Sequence, residues 1–313
     1  TDTRRHEQDD RLIAAALGQA LATGMRGVVC ASSGNAGAST AAYAARAGVP
    51  AIIVVPAHTP AGKVTQIAAH GAILLLVEGH YSRSYDLARA LAEQHGFANL
   101  TTTFINPYAV AGLTAVGREI ALQLGGRAPS HVLIPTGSGP LVKGVWQGLR
   151  DAGMSTRLVA VQAQGCAPIV RAFDAGTDSV TAWGMPETIA SGISDPLIGY
   201  ERDGAYTLRL VRQSGGSAIA VSDAALRHAM QALASGEGIY AEPTGASPIA
   251  ALGQLLADGR LQPDSRIVCL ITGDGFKDAR VYQELPTSTY RVDDPCDTAA
   301  VARLCDAAIA GRA

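Results

Sequence analysis

A chain of 313 residues is long enough to bury a sizeable core, and 48% hydrophobic against 17% charged residues is the balance of a globular protein, neither disordered nor fibrous. With 25 Lys and Arg against 27 Asp and Glu, the net charge is −2 and no basic tract stands out, which argues against a nucleic-acid or anionic-membrane surface. Apolar runs such as Ala51 to Pro56 are of strand length, Thr1 to Arg11 lacks an apolar signal core, and the five cysteines form neither a Cys-x-x-Cys pair nor an even disulfide framework, so a cytoplasmic protein without a membrane segment is expected.

After the charged terminus, Leu12–Leu21 has the pattern of a first helix. Strand-like runs then alternate with helical ones: a strand at Val28–Ala31, a small-residue helix from Ala36 to Ala45, strands at Ala51–Val55 and Ile73–Val77, and a helix at Tyr81–His95. The loop Phe104-Ile105-Asn106-Pro107-Tyr108 marks a return to a second series of strands at Val132–Pro135, Leu158–Gln162, Ala218–Val221 and Ile267–Ile271, with helices at Asp223–Ser235 and Ala246–Asp258. Beyond Val281 the pattern weakens until an alanine-rich helix at about Asp297–Ala310, read as a packing or oligomer element.

Such alternation predicts an α/β protein with two open, mainly parallel sheets carrying helices on both faces. The expected division is a smaller α/β domain at 27–117 and a larger one formed by 1–26 plus 118–313, with an active-site cleft between them at the carboxyl ends of the strands.

Three loops fall at those ends: Ala31-Ser32-Ser33-Gly34-Asn35-Ala36, Gly137-Ser138-Gly139, and Leu270-Ile271-Thr272-Gly273-Asp274-Gly275. The first sits at a strand-to-helix turn, which aims free backbone N–H groups at an anion. With Gln164-Gly165-Cys166-Ala167-Pro168, Ile189-Ala190-Ser191-Gly192-Ile193 and Tyr240-Ala241-Glu242-Pro243-Thr244-Gly245, the chain from about Arg11 to Asp278 resembles the fold-type II (tryptophan-synthase-β-like) pyridoxal-phosphate enzymes, in the threonine synthase and cysteate synthase branch. The resemblance implies that Gly137, Ser138 and Gly139 cradle the cofactor phosphate, Thr272 faces the ring nitrogen and Asn35 bonds the ring hydroxyl. It implies further that Ser33, Gly34, Asn35 and Ala36 hold a substrate carboxylate, and that Lys63, at a helix start facing the cleft, engages a substrate anion.

Departures fall where the chemistry should be. In this family a Pro-Thr-Gly-Ser-Phe-Lys-Asp-Arg segment supplies the Schiff-base lysine; its Asp-Arg matches Asp10-Arg11, which places Asp9 at the lysine position. The three lysines, Lys63, Lys143 and Lys277, each fall in another family segment. Losing the lysine removes the covalent link and the base for a Cα proton, a role worth ~10²–10⁴-fold in general acid–base catalysis. Pro140 stands where relatives often have glycine, so one phosphate donor is missing. After Asn106-Pro107-Tyr108, the charged Glu-Gly-Gln/Lys-Lys-Thr of threonine synthases is replaced by Ala111-Gly112-Leu113-Thr114-Ala115.

Three readings stay open at this point. The first is a lyase or synthase without the lysine, with Asp9 and Lys63 as its catalytic candidates, acting on a small carboxylate, phosphate or sulfonate by elimination, decarboxylation or sulfur-nucleophile addition at a β-carbon. Cysteate synthase's link to sulfonates extends this to sulfonate or coenzyme M metabolism. The second is a non-catalytic ligand sensor, and the third a lysine-substituted variant of a pyridoxal-phosphate lyase. Pyridoxal phosphate is then held without a covalent bond or not used at all, and a homodimer is the assembly the resemblance implies. Relatives carry further residues before the lysine segment, so either the chain shown lacks its beginning or the protein dispensed with it.

Lys143 could strengthen an anion site or be a solvated helix residue, Cys30 and Cys269 read as buried strand residues, and Cys166, placed in a loop, leaves a thiol role open. No metal site is expected; a grouping of His6, Glu7, Asp9 and Asp10 matches no ligand spacing.

Overall fold

The structure, a computed structural model, describes residues 8–32, 34–57, 59, 61–79, 81–283, 292 and 298–310. Helix α1 (Gln8–Ala22) leads into a first series, β1 (Val28–Ala31), α2 (Asn35–Ala47), β2 (Ala51–Pro56), α3 (Ala61–Ala69), β3 (Ile73–Val77), α4 (Tyr81–His95) and β4 (Ala98–Asn99). Helices α5 (Pro107–Gly112) and α6 (Thr114–Gln123) connect it to β5 (His131–Pro135), α7 (Pro140–Asp151), β6 (Arg157–Ala163), α8 (Pro168–Asp174), α9 (Glu201–Gln213), β7 (Ser217–Val221), α10 (Asp223–Glu237), α11 (Pro243–Ala257) and β8 (Ile267–Cys269). The short α12 (Ala279–Gln283) and α13 (Thr298–Ala310) follow.

The strands form two four-stranded sheets, ordered β3-β2-β1-β4 and β7-β6-β5-β8, and every pairing is parallel. Continuous apolar runs suit strands covered on both faces. All residues of β1, β2 and β5 are buried, whereas the edge strand β3 leaves Ile73 and Leu76 exposed. The α/β architecture expected from the alternating runs is therefore present. The two-residue β4 has no counterpart among the expected strands, because two residues carry no periodicity, and β8 stops at Cys269 instead of reaching Ile271. Among the described residues no helix is long and apolar enough to cross a membrane.

Helix α11 begins at Pro243, three residues before the expected Ala246. Proline at the first helical position has its φ preset and loses only an N–H that would find no partner there. Pro248, inside the same helix, cannot donate to the Thr244 carbonyl; the Ser247 hydroxyl donates to that oxygen instead, at 2.8 Å. Glu242 and Thr244 are thereby fixed at a helix start.

Helix α7 is held by close backbone approach to α6. A Cβ on Gly148 would lie 2.3 Å from the Thr114 carbonyl oxygen, and one on Gly117 would lie 2.3 Å from that of Val145. Small residues at the crossing let the helices touch, and the loop preceding α7 inherits that fixed position.

Candidate functional site

A cleft of about 410 Å³ opens beyond the carboxyl ends of β1, β2 and β5, lined from one side by Ser32, Gly34, Asn35, Ala36, Pro56 and Thr59 and from the other by Gly137, Ser138, Gly139, Thr244 and Thr272. Open α/β sheets bind ligands at this end of their strands. Of the residues singled out in the sequence, Asp9, Gly34, Asn35, Ala36, Gly137, Ser138, Gly139 and Thr272 line this one cleft. Ser33 lies outside the described residues, as do His6 and Glu7; Lys63 lies on the first turn of α3, and its side chain is likewise outside them.

Three consecutive residues at the start of α1 have different tasks. The Asp10 carboxylate accepts from Ser39 Oγ on α2 at 2.7 Å, and Arg11 donates to both carboxylate oxygens of Glu119 on α6, at 2.9 and 2.6 Å. These bonds anchor the helix on two sides. Asp9, between that anchor and the terminus, is only 9% exposed and contributes to the cleft wall. A carboxylate in a helix's first turn interacts favourably with its dipole.

On the facing wall the Gly137–Gly139 loop has a geometry only glycine supplies. Gly139 has φ +110°, and a Cβ there would stand 2.0 Å from Thr207 Oγ1, which donates to the Ser138 carbonyl at 2.6 Å. The Gly137, Ser138 and Gly139 amides take no partner among the described residues, so they are available to an anion at the start of α7. Pro140 occupies the first position of α7 and offers no N–H.

Across the cleft, Asn35 Nδ2 donates to Glu242 Oε1 at 3.2 Å, linking α2 to the start of α11. Thr244 Oγ1 accepts from the Gly192 amide at 3.0 Å. Thr272 is 7% exposed and its hydroxyl has no hydrogen-bond partner among the described residues, a cost of roughly 1–3 kcal/mol until a ligand atom engages it.

Sequence reasoning missed Asp195, which sits in the Ser191–Pro196 segment of the cleft wall. Ser194-Asp195-Pro196 reads as an ordinary turn, and nothing local reveals that it folds against the glycine loop. Tyr200 Oη donates to Asp195 Oδ1 at 2.6 Å and the Leu197 amide donates to the same oxygen at 3.0 Å. Burial pushes the Asp195 carboxyl above the usual carboxylate range, against the lowering effect of those two bonds. The described lining thus carries three carboxylates, Asp9, Asp195 and Glu242, and no Lys, Arg or His.

Two candidates move away from the cleft. Lys143 donates from Nζ to Gln147 Oε1 at 2.9 Å and lies 5.8 Å from the Trp146 ring centroid, in an apolar groove with Phe104 and Tyr206, so it does not strengthen the cleft's anion site. Cys166 is fully buried, and burial pushes its thiol up to about 12, which removes the thiol role left open by its loop position. Cys30, in β1, is likewise pushed up to about 12, mainly by burial and further by Asp9, whereas Cys269 is partly buried.

These donors can be tested against pyridoxal phosphate. The free amides of the glycine loop suit a phosphate, and the orphaned Thr272 hydroxyl and the Asn35 amide suit polar atoms on the ring. The described lining contains no amine to combine with an aldehyde. The cleft therefore fits the group as a bound ligand, with no described residue to link it covalently.

Comparison with known proteins agrees with this geometry. Residues 9–273 match the family described as "Pyridoxal-phosphate dependent enzyme". Threonine synthase of Methanosarcina acetivorans is 35% identical over 276 residues, covering 86% of this chain and 67% of that protein, and threonine synthase of Halalkalibacterium halodurans is 33% identical, covering 86% and 74%. In fold, the chain superimposes on an L-serine ammonia-lyase from Rhizomucor miehei with a TM-score of 0.76 at 23% identity, covering 89% of each chain. The processed form of threonine deaminase isoform 2 from Solanum lycopersicum gives 0.74 at 23% identity, covering 90% of this chain and 76% of that one.

Proposed function

We infer the activity from membership: the chain belongs to the family of pyridoxal-phosphate dependent enzymes, and we propose that it is a threonine-synthase-like lyase or synthase in which Asp9 stands where relatives carry the cofactor-binding lysine. The observation that carries this reading is the placement of Asp9. It lies buried on the wall of the same cleft as Asn35, the glycine loop and Thr272, while Asp10 and Arg11 are committed to anchoring α1.

When bound, pyridoxal phosphate supplies an electron sink for a developing carbanion. The chain's own residues do the rest. Amides of Gly137, Ser138 and Gly139 hold the phosphate, Thr272 and Asn35 orient the ring, and the start of α2 at Gly34–Ala36 receives the carboxylate of a small acid. Asp9 exchanges a proton with the substrate carbon, the task relatives give to the lysine amine. Lys63, four residues beyond the cleft-lining Thr59, is assigned the second anionic group of the substrate, a carboxylate, phosphate or sulfonate. Elimination, decarboxylation or addition of a sulfur nucleophile at a β-carbon are the reactions these groups serve. Sedimentation of the purified protein tests the homodimer that the resemblance implies.

The experiment is to incubate the protein and Asp9→Lys with pyridoxal phosphate, reduce with borohydride, and locate any adduct by peptide mass mapping. An adduct on residue 9 of the variant, with none in the parent protein, is the expected result. Capture of the aldehyde by Lys63 or Lys277 in the parent protein overturns the assignment of Asp9.

A further inference from the structure

Phosphate recognition calls for donors, yet this glycine loop has a carboxylate pressed against it. A Cβ built on Gly137 would lie 3.4 Å from Asp195 Cβ and 3.8 Å from Asp195 Oδ2. An ionised Asp195 would face an incoming anion at short range in a partly buried site, where like charges repel far more than in water. A neutral carboxyl would instead offer one O–H donor, making up for the N–H that Pro140 lacks.

We propose that Asp195 is a proton-carrying selectivity group of the Gly137–Gly139 cradle, which admits an anion only while the Asp195 carboxyl is neutral. This deepens the cofactor reading above and rests on the glycine loop being the anion site.

Burial and the Asp203 carboxyl favour the neutral form of Asp195, against the hydrogen bonds it accepts from Tyr200 and the Leu197 amide. Tyr200, just before α9, and Tyr81 from α4 stay protonated, each pushed upward by burial and by Asp195, and the Cys166 thiol is held up at about 12. Asp203, on α9, is a second carboxyl raised by burial, and it pushes Asp195 upward as well. No Lys, Arg or His among the described residues pairs with Asp195. The Tyr200 hydroxyl and the Leu197 amide both occupy Oδ1, which leaves Oδ2 as the oxygen that carries the proton toward the loop.

Sulfate is the probe, because its charge does not change across the working pH range and any required proton must come from the protein. Binding is followed through the amide resonances of Gly137 and Gly139 in the parent protein, in Asp195→Asn and in Tyr200→Phe. The expected result is a dissociation constant that rises about tenfold per pH unit above the Asp195 pKa in the parent protein, since each bound anion takes up one proton. Asp195→Asn, a neutral donor of the same shape, then binds with a flat pH profile. Tyr200→Phe keeps the ring stacked on Tyr85 but removes a bond that favours the ionised form, so its loss of affinity moves to higher pH. Sulfate binding with the same pH profile in the parent protein and Asp195→Asn overturns the inference while leaving the anion cradle intact. Absence of binding at Gly137 and Gly139 in all three proteins overturns the cradle, and this inference with it.

Discussion

Replacing Gly139 by alanine probes the glycine loop directly. At φ +110° an L-residue is strained by ~1–3 kcal/mol. The new methyl would also stand 2.0 Å from Thr207 Oγ1, 2.4 Å from Cγ2 and 2.7 Å from Cβ, an overpacking that costs roughly 1–3 kcal/mol after local shifts. Together these give a destabilisation of about 2–6 kcal/mol. Gly153→Ala is the control, because Gly153 has φ +72° with nothing within 4 Å of its Cβ, and there only the backbone penalty of about 1 kcal/mol applies. Denaturant titration of the two variants reads the difference, and Thr207→Ala added to Gly139→Ala should recover about 1 kcal/mol or more relative to additivity, because the two positions touch. Equal stability of Gly139→Ala and Gly153→Ala would refute the claim that Thr207 fixes the loop.

Thr272→Val removes a buried hydroxyl that has no partner among the described residues, so the ligand-free protein should be unchanged or stabilised by up to ~1 kcal/mol while pyridoxal phosphate binds about tenfold more weakly; calorimetry with and without the ligand separates the two effects. Ser39→Ala deletes the donor to the Asp10 carboxylate and should cost roughly 1–2 kcal/mol in chemical denaturation, because the bond is charge-assisted and partly buried. In native alkylation near neutral pH the exposed Cys305 should react while Cys30 and Cys166 do not, since their thiols, held at about 12, form thiolate only in strongly alkaline solution; mass mapping checks this, and labelling of Cys166 in the folded protein would contradict its burial.

The strands were legible in the sequence because uninterrupted apolar runs in a parallel α/β protein have one interpretation, and β1 and β3 fall within the expected bounds. Proline and serine at 243–248 hid the start of α11, since a compensating hydroxyl bond is a tertiary detail with no periodic trace. The Ala31–Ala36 loop was visible as a strand-to-helix turn, and the other two cleft loops through their place after strands and their resemblance to the family's motifs. Asp195 and the displaced position of Lys143 were not, because each depends on which surface a turn or helix presents after folding. Glu242 was visible as part of a motif, yet its bond to Asn35 joins residues 207 positions apart.

The scaffold tolerates a carboxylate at position 9 for a physical reason that yields its own prediction. The two anchors of α1, Asp10 to Ser39 and Arg11 to Glu119, involve neighbours of Asp9, so they remain when position 9 is changed. The helix N-terminus carries a partial positive charge that favours Asp9 and disfavours a cation in the same turn. Asp9→Lys exchanges the first for the second, a loss of roughly 0.6–2 kcal/mol, taking ~0.3–1 kcal/mol for each sign. A covalent cofactor adduct removes the lysine's charge or partners it, so adduct formation should restore stability to the variant and leave the parent protein's unchanged. Thermal unfolding before and after cofactor treatment measures both. If the variant is as stable as the parent without cofactor, the dipole does not act on position 9 and the side chain points away from the axis of α1.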